Sequence, residues 1–209
     1  MGNRFLIIIG VILAGFAGLV IVNKITAPAE PTSTGSSNFI GKMDSPVTFT
    51  EYVDFQCEAC YAFYPTIKEV KETYKDRVKF QIRYFPITSG HQYAKMAAAY
   101  AESAARQGKF FEMHDKLFEG QKTWETSQKP NEYFDKYAQE LKLDMAKLKT
   151  DLESREVSAV INADLKEVKR IGGTGTPTFA INGEKIDSPK NSVEDVSKLI
   201  DDALKKNQQ

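Results

Sequence analysis

The chain has 209 residues, 28 basic and 28 acidic side chains, 42% hydrophobic residues and two cysteines. Balanced charge argues against a polybasic nucleic-acid surface or an acidic partner face. Two cysteines are too few for a disulfide-laced scaffold.

Phe5 to Val22 is an uncharged apolar run of 18 residues. As a helix it is just long enough to cross the hydrocarbon core of a bilayer. Arg4 and the amino terminus precede it and Lys24 follows, a charge balance that favours a cytoplasmic N-terminus and an exported body. The expectation is a membrane anchor over residues 1–25. The alternative is a cleaved signal peptide, because Ala27-Pro28-Ala29 resembles a small-x-small cleavage site and would release the body near Ala29. Residues 26–38 are rich in Pro, Ser, Thr and Gly with no apolar period, and are expected to form a flexible linker.

Residues 39–209 are one domain's worth of chain. Pro46 to Phe55 reads as a strand and Glu58 to Tyr74 as a helix carrying an internal Pro65. Arg77 to Ile87 reads as a second strand, so the first two strands and their helix predict a parallel βαβ unit. Helical patterns then fill residues 91–171, with Asp144 and Ser154 placed as N-caps. The run Gly172-Gly173-Thr174-Gly175-Thr176-Pro177 is a loop built for unusual backbone angles. Thr178 to Asn182 and Glu184 to Ile186 read as a hairpin turned at Asn182-Gly183. Ser192 caps a last amphipathic helix. The order is a small α/β sheet split around an all-helical insert.

Cys57-Glu58-Ala59-Cys60 stands where the first strand gives way to the first helix. A helix N-terminus offers unpaired N–H groups and partial positive charge, which stabilise a thiolate, and the thiolate is the nucleophile in thiol–disulfide exchange. A second cysteine one turn along can close the ring. Two other readings stand beside this one. Zinc would need about four ligands, and only His91 and His114 add to the pair. A structural disulfide here closes a very small loop, with little gain in chain entropy.

The cysteine pair after the first core strand, the helical insert, and Gly173-Thr174-Gly175-Thr176-Pro177-Thr178-Phe179 running into Asn182-Gly183 resemble the DsbA-like branch of the thioredoxin superfamily. Tyr52 through Cys57, His91 through Ala105, Gly108 through Phe111 and Met113-His114 add to the likeness. The resemblance implies an α/β thioredoxin fold with an all-helical insertion between the βαβ half and the β-hairpin-α half. It implies an exposed nucleophile at Cys57, a buried resolving thiol at Cys60, and a cis-proline at Pro177 that lays the Thr176 backbone beside Cys57 for a substrate strand. Glu51, six residues before Cys57, matches an acid that the family often buries beneath the site; a solvated acid on a strand edge is the alternative.

The resemblance further implies a thiol-disulfide oxidoreductase with no cofactor or metal beyond the pair itself. Its substrates would be exported cysteine-containing proteins and its reoxidant a membrane quinone-linked thiol oxidase. The expected state is a monomer on the extracytoplasmic side of the cell membrane, with no nucleic-acid partner. The dipeptide Glu58-Ala59 departs from the histidine of the best-known oxidants in this family. An acid there should disfavour a thiolate, which keeps open a reductase or isomerase. The non-enzymatic alternative is a binding module whose cysteine pair is a closed bridge.

Overall fold

A computed structural model of the chain describes residues 31–207. The expected membrane span at 5–22 lies outside those residues. Among the described residues no helix is long and apolar enough to cross a membrane.

The sheet has five strands: β1 (Asn38–Gly41), β2 (Thr48–Val53), β3 (Lys79–Tyr84), β4 (Thr178–Ile181) and β5 (Glu184–Lys185). Their order is β1-β3-β2-β4-β5. Helix α1 (Glu58–Tyr74) links β2 to β3, which pair in parallel with Glu51 opposite Ile82. β4 pairs antiparallel with β2, placing Phe179 opposite Glu51. The insert holds α2 (Ala94–Ala105), α3 (Phe110–Glu119), α4 (Gln121–Trp124), α5 (Pro130–Glu140), α6 (Met145–Leu152) and α7 (Arg155–Arg170). Helix α8 (Val193–Lys206) closes the fold. The α/β fold with its helical insert is the one expected from the order of elements.

Local signals account for many of the boundaries. Asp144 accepts hydrogen bonds from the N–H groups of Ala146 and Lys147, Ser154 from Val157, and Ser192 from Asp195. Asn182 and Gly183 both have positive φ, as a two-residue hairpin turn requires.

Strand β2 is buried on both faces, which explains why its sequence does not alternate cleanly. Phe49 points into a core shared with Ile67 and Val70 of α1 and Val196 and Ile200 of α8. Val53 points into the larger core that joins Cys60 to the insert, with Trp124 and Phe134 at its centre. On the opposite face Tyr52 packs with Val168 of α7 and Ala180 of β4.

The expected linker at 26–38 is too long at its C-terminal end, because the fold starts before Phe39. Asn38 belongs to β1, which pairs with the edge of β3. Ser36 is buried, its N–H donates to Asp164 Oδ1 at 3.0 Å, and its Oγ lies 2.6 Å from Asp164 Oδ2. Gly35 has φ +96°, and a Cβ there would stand 2.3 Å from the Asp164 carboxylate. A polar, glycine-containing segment therefore packs through one buried acid rather than through apolar side chains.

Candidate active site

The turn Asp54-Phe55-Gln56 carries the chain from β2 into α1, and Cys57 is the N-cap of that helix with φ −74° and ψ 125°. No side-chain hydrogen bond caps the helix, so its first N–H groups stay free beside the cysteine sulfur. Cys57 is buried, at 8% exposed, rather than open as expected, because the Thr176-Pro177 loop lies against its sulfur, and Cys60 is fully buried, as expected. Both are free thiols here.

The two sulfurs have opposite chemistry. Cys57 is pulled down to about 5 by the Cys60 thiol donating to it, aided by the Thr176 side chain and the N–H groups of Cys60 and Ala59, against the effect of burial. Cys60 is pushed well above the usual thiol range, first by burial and then by its hydrogen bond to Cys57 and by the charges of Cys57 and Glu51. One thiol is an anion at neutral pH and the other holds its proton.

The peptide bond between Thr176 and Pro177 is cis, and it brings Thr176 to the sulfur. Cys57 Sγ lies 3.4 Å from the Thr176 carbonyl oxygen, to which the protonated thiol donates. A carbonyl cannot favour the anion. The Thr176 hydroxyl can: it is buried without a hydrogen-bond partner and so is free to donate to the sulfur once the thiol ionises.

Glu51 is 4% exposed, on the α1 side of β2 between Ile82 and Phe179 of the flanking strands. Burial raises its carboxyl to about 7, opposed by the charge of Lys71. A solvated strand-edge acid is thereby ruled out. Glu58 faces outward, and its carboxylate lies 3.6 Å from Lys122 Nζ on α4. The acid in the dipeptide is thus paired to the insert.

Asp54, Gln56 and Gln121 support the site and were not singled out from the sequence. Asp54 is fully buried: Oδ1 accepts from the Gln56 N–H at 2.8 Å, and Oδ2 accepts from the Ile87 N–H at 2.7 Å. The same Oδ2 lies 2.7 Å from Nδ1 of His91, which sits before α2 rather than opening it. Gln56 Oε1 accepts from the Tyr93 N–H at 2.7 Å. Gln121 Nε2 donates to the carbonyls of Phe55 at 2.7 Å and Cys57 at 3.1 Å. For Asp54 and Gln56 the available signal was a polar residue beside Phe55; Gln121, between Gly120 and Lys122, carried none. His114 is buried among Phe55, Tyr64, Phe110 and Phe118, and burial lowers its pKa to about 4. Both histidines are engaged away from the sulfurs.

A groove of about 430 Å³ runs beside the Gly173-Thr174 approach to the cis bond, floored by Phe85, Ile87 and Leu165, with Lys169 among its lining residues. The arrangement provides an anionic sulfur, a neutral buried partner and an adjacent exposed loop.

A family model described as thioredoxin matches residues 33–202. The chain is 35% identical over 161 residues to the Na(+)/H(+) antiporter NhaA 3 of Salinispora tropica, covering 77% of this chain and 24% of that protein. It is 32% identical over 155 residues to NhaA 1 of Salinispora arenicola, covering 74% and 23%. The chain therefore spans about a quarter of the length of these curated relatives. Among solved structures, alpha-DsbA1 of Wolbachia pipientis superposes with TM-score 0.70 at 18% identity, covering 88% of this chain and 96% of that one. Oxidised BdbD of Bacillus subtilis gives 0.68 at 22%, covering 85% and 100%. These two likenesses establish the fold.

Proposed function

The chain belongs to the thioredoxin family, whose chemistry is thiol–disulfide exchange, and we propose that it introduces disulfides into exported proteins through Cys57 and Cys60. The observation that carries this reading is the placement of Cys57 at the N-terminus of α1 beside the cis Thr176-Pro177 bond with Cys60 buried one turn on, an arrangement that makes the two thiols unequal in acidity. A stabilised Cys57 thiolate stabilises the reduced pair, which makes the disulfide a good oxidant.

In the oxidised protein a substrate thiolate attacks Cys57 Sγ. The Cys57–Cys60 bond breaks, Cys60 leaves with the bonding pair and takes a proton, and a mixed disulfide links substrate to Cys57. A second substrate thiolate attacks the substrate sulfur of that bond and expels Cys57 as a thiolate. The substrate loses two electrons and the pair gains them. Glu51, with its carboxyl near 7, is suited to give Cys60 its proton and to take it back on reoxidation. The Thr176 backbone is placed to align an extended substrate strand beside Cys57. The cysteine pair is the whole redox centre in this scheme, with no further cofactor.

The acid at position 58 points toward a weaker oxidant. Its pairing with Lys122 and the low pKa of Cys57 favour the oxidase over the reductase or isomerase. We read the apolar run at 5–22 as a membrane anchor that holds a monomeric catalytic domain, residues 39–209 with their packed lead-in, on the extracytoplasmic side. Reoxidation there falls to a membrane quinone-linked thiol oxidase.

Mixing the oxidised protein with a reduced, unfolded protein carrying two cysteines tests the proposal. The expected result is one substrate disulfide per Cys57–Cys60 pair reduced, and none with Cys57→Ala. A pair that stays oxidised throughout would reject the oxidase.

A further inference from the structure

Gln121 is the first residue of the short helix α4, deep inside the insert, and its side chain is completely buried. Its amide nitrogen reaches out of the insert to two carbonyls that flank the strand-to-helix turn, Phe55 at 2.7 Å and Cys57 at 3.1 Å. With two acceptors on that side, the nitrogen must face the turn; the reverse orientation would set three oxygens against one another. Its own oxygen is left buried with no hydrogen-bond partner.

The segment around α4 is also held from within the insert. Gly120 stands so close to Tyr137 that a Cβ would lie 2.0 Å from the phenol oxygen. Trp124 Nε1 donates to the Leu117 carbonyl at 2.7 Å. The neighbouring Lys122 pairs with Glu58 between the two cysteines. A rigid piece of the insert therefore grips the cysteine loop by its backbone.

Resting on the thiol-exchange reading above, we propose that Gln121 is a positioning residue, the point through which the helical insert holds the Cys57 sulfur in its reacting position. The Cys57 carbonyl begins α1 and also accepts from the Tyr61 N–H at 3.0 Å. Gln121 fixes the same carbonyl and the one two residues earlier, so the Cys57 backbone has little room to turn. That fixity keeps the sulfur against the N–H groups of Ala59 and Cys60 and beside Thr176. Without the amide the Phe55 carbonyl loses its buried partner, and the turn must shift to find another.

The test compares Gln121→Leu with Trp124→Phe, two changes in one helix, by following Cys57 thiolate absorbance against pH. Melting temperature measures the damage each does to the fold. Gln121→Leu is expected to raise the Cys57 pKa by about one unit, and to shift the equilibrium with glutathione by about tenfold toward the disulfide. Trp124→Phe is expected to lower the melting temperature and leave both untouched. An unchanged Cys57 titration in Gln121→Leu would overturn the proposal, whereas a parent protein whose Cys57 titrates as an ordinary thiol would overturn the functional reading instead. Should Gln121→Leu not fold, the side-chain amide protons of Gln121 in the intact protein provide the second measurement. Slow exchange, with resonances that move between the reduced and oxidised forms, supports the proposal; fast exchange with no movement refutes it.

Discussion

Cys57 Sγ lies 3.4 Å from the carbonyl oxygen of Thr176, across the cis bond to Pro177, so a nucleophile and a strand-accepting loop meet at one point. The helix N-terminus supplies acidity, and the loop is the proposed place for substrate. The two come from segments more than a hundred residues apart, brought together by the pairing of β2 with β4.

The Cys57 thiol should titrate near pH 5 in the reduced protein, as followed by thiolate absorbance. Because its folded value lies below the ordinary thiol range near 8.5, it stabilises the reduced fold. That contribution is complete above the unfolded value and is lost as pH falls through about 5. Reduced and oxidised proteins should therefore differ most in melting temperature at neutral and alkaline pH. A midpoint near 8.5 would contradict the site geometry.

Thr176→Val removes the buried hydroxyl that favours the anion but keeps the side-chain shape. The expected result is a rise of about one unit in the Cys57 pKa, from loss of one hydrogen bond to a charged group. Equilibration with glutathione should move by about tenfold toward the disulfide. No change would mean that the helix terminus and Cys60 hold the thiolate alone.

Glu51 carries a pKa raised by burial, so its contribution has the opposite sign. It is harmless below the unfolded value near 4.3, and it costs stability as pH rises toward about 7. Glu51→Gln should stabilise the protein at pH 8 by about 4 kcal/mol, at about 1.4 kcal/mol per pH unit. The same change should slow proton transfer to Cys60, measured as a slower formation of the mixed disulfide. A variant that is less stable at pH 8 would show that the ionised carboxylate is better solvated than its burial indicates.

Ser36→Ala deletes a donor to the buried Asp164 carboxylate. Leaving a buried acceptor short of a partner costs about 1–3 kcal/mol, measured by urea denaturation. A loss below about 0.5 kcal/mol would return this segment to the role of a loose tether.

Signals confined to a few neighbouring residues were legible in the sequence. The cysteine pair, the Thr176-Pro177 dipeptide, the Asn182-Gly183 turn and the Ser192 cap each announce themselves within a short window. Glu51 was only half legible: β2 is buried on both faces, so no alternation reveals where its acid points. Strand β1 was missed because Asn38-Phe39-Ile40-Gly41 is short, and its state is decided by the open edge of β3. Gln121 was missed for a related reason. Its partners lie 64 and 66 residues away, and a side chain that bonds backbone leaves no pattern at either end.

The central claim is that the Cys57–Cys60 pair hands its disulfide on. Its most direct measure is the reduction potential of the soluble domain equilibrated against glutathione buffers. The stabilised thiolate predicts a value between about −120 and −180 mV. A value near about −270 mV would identify a reductase, and one below about −300 mV a structural bridge. Either would contradict the account.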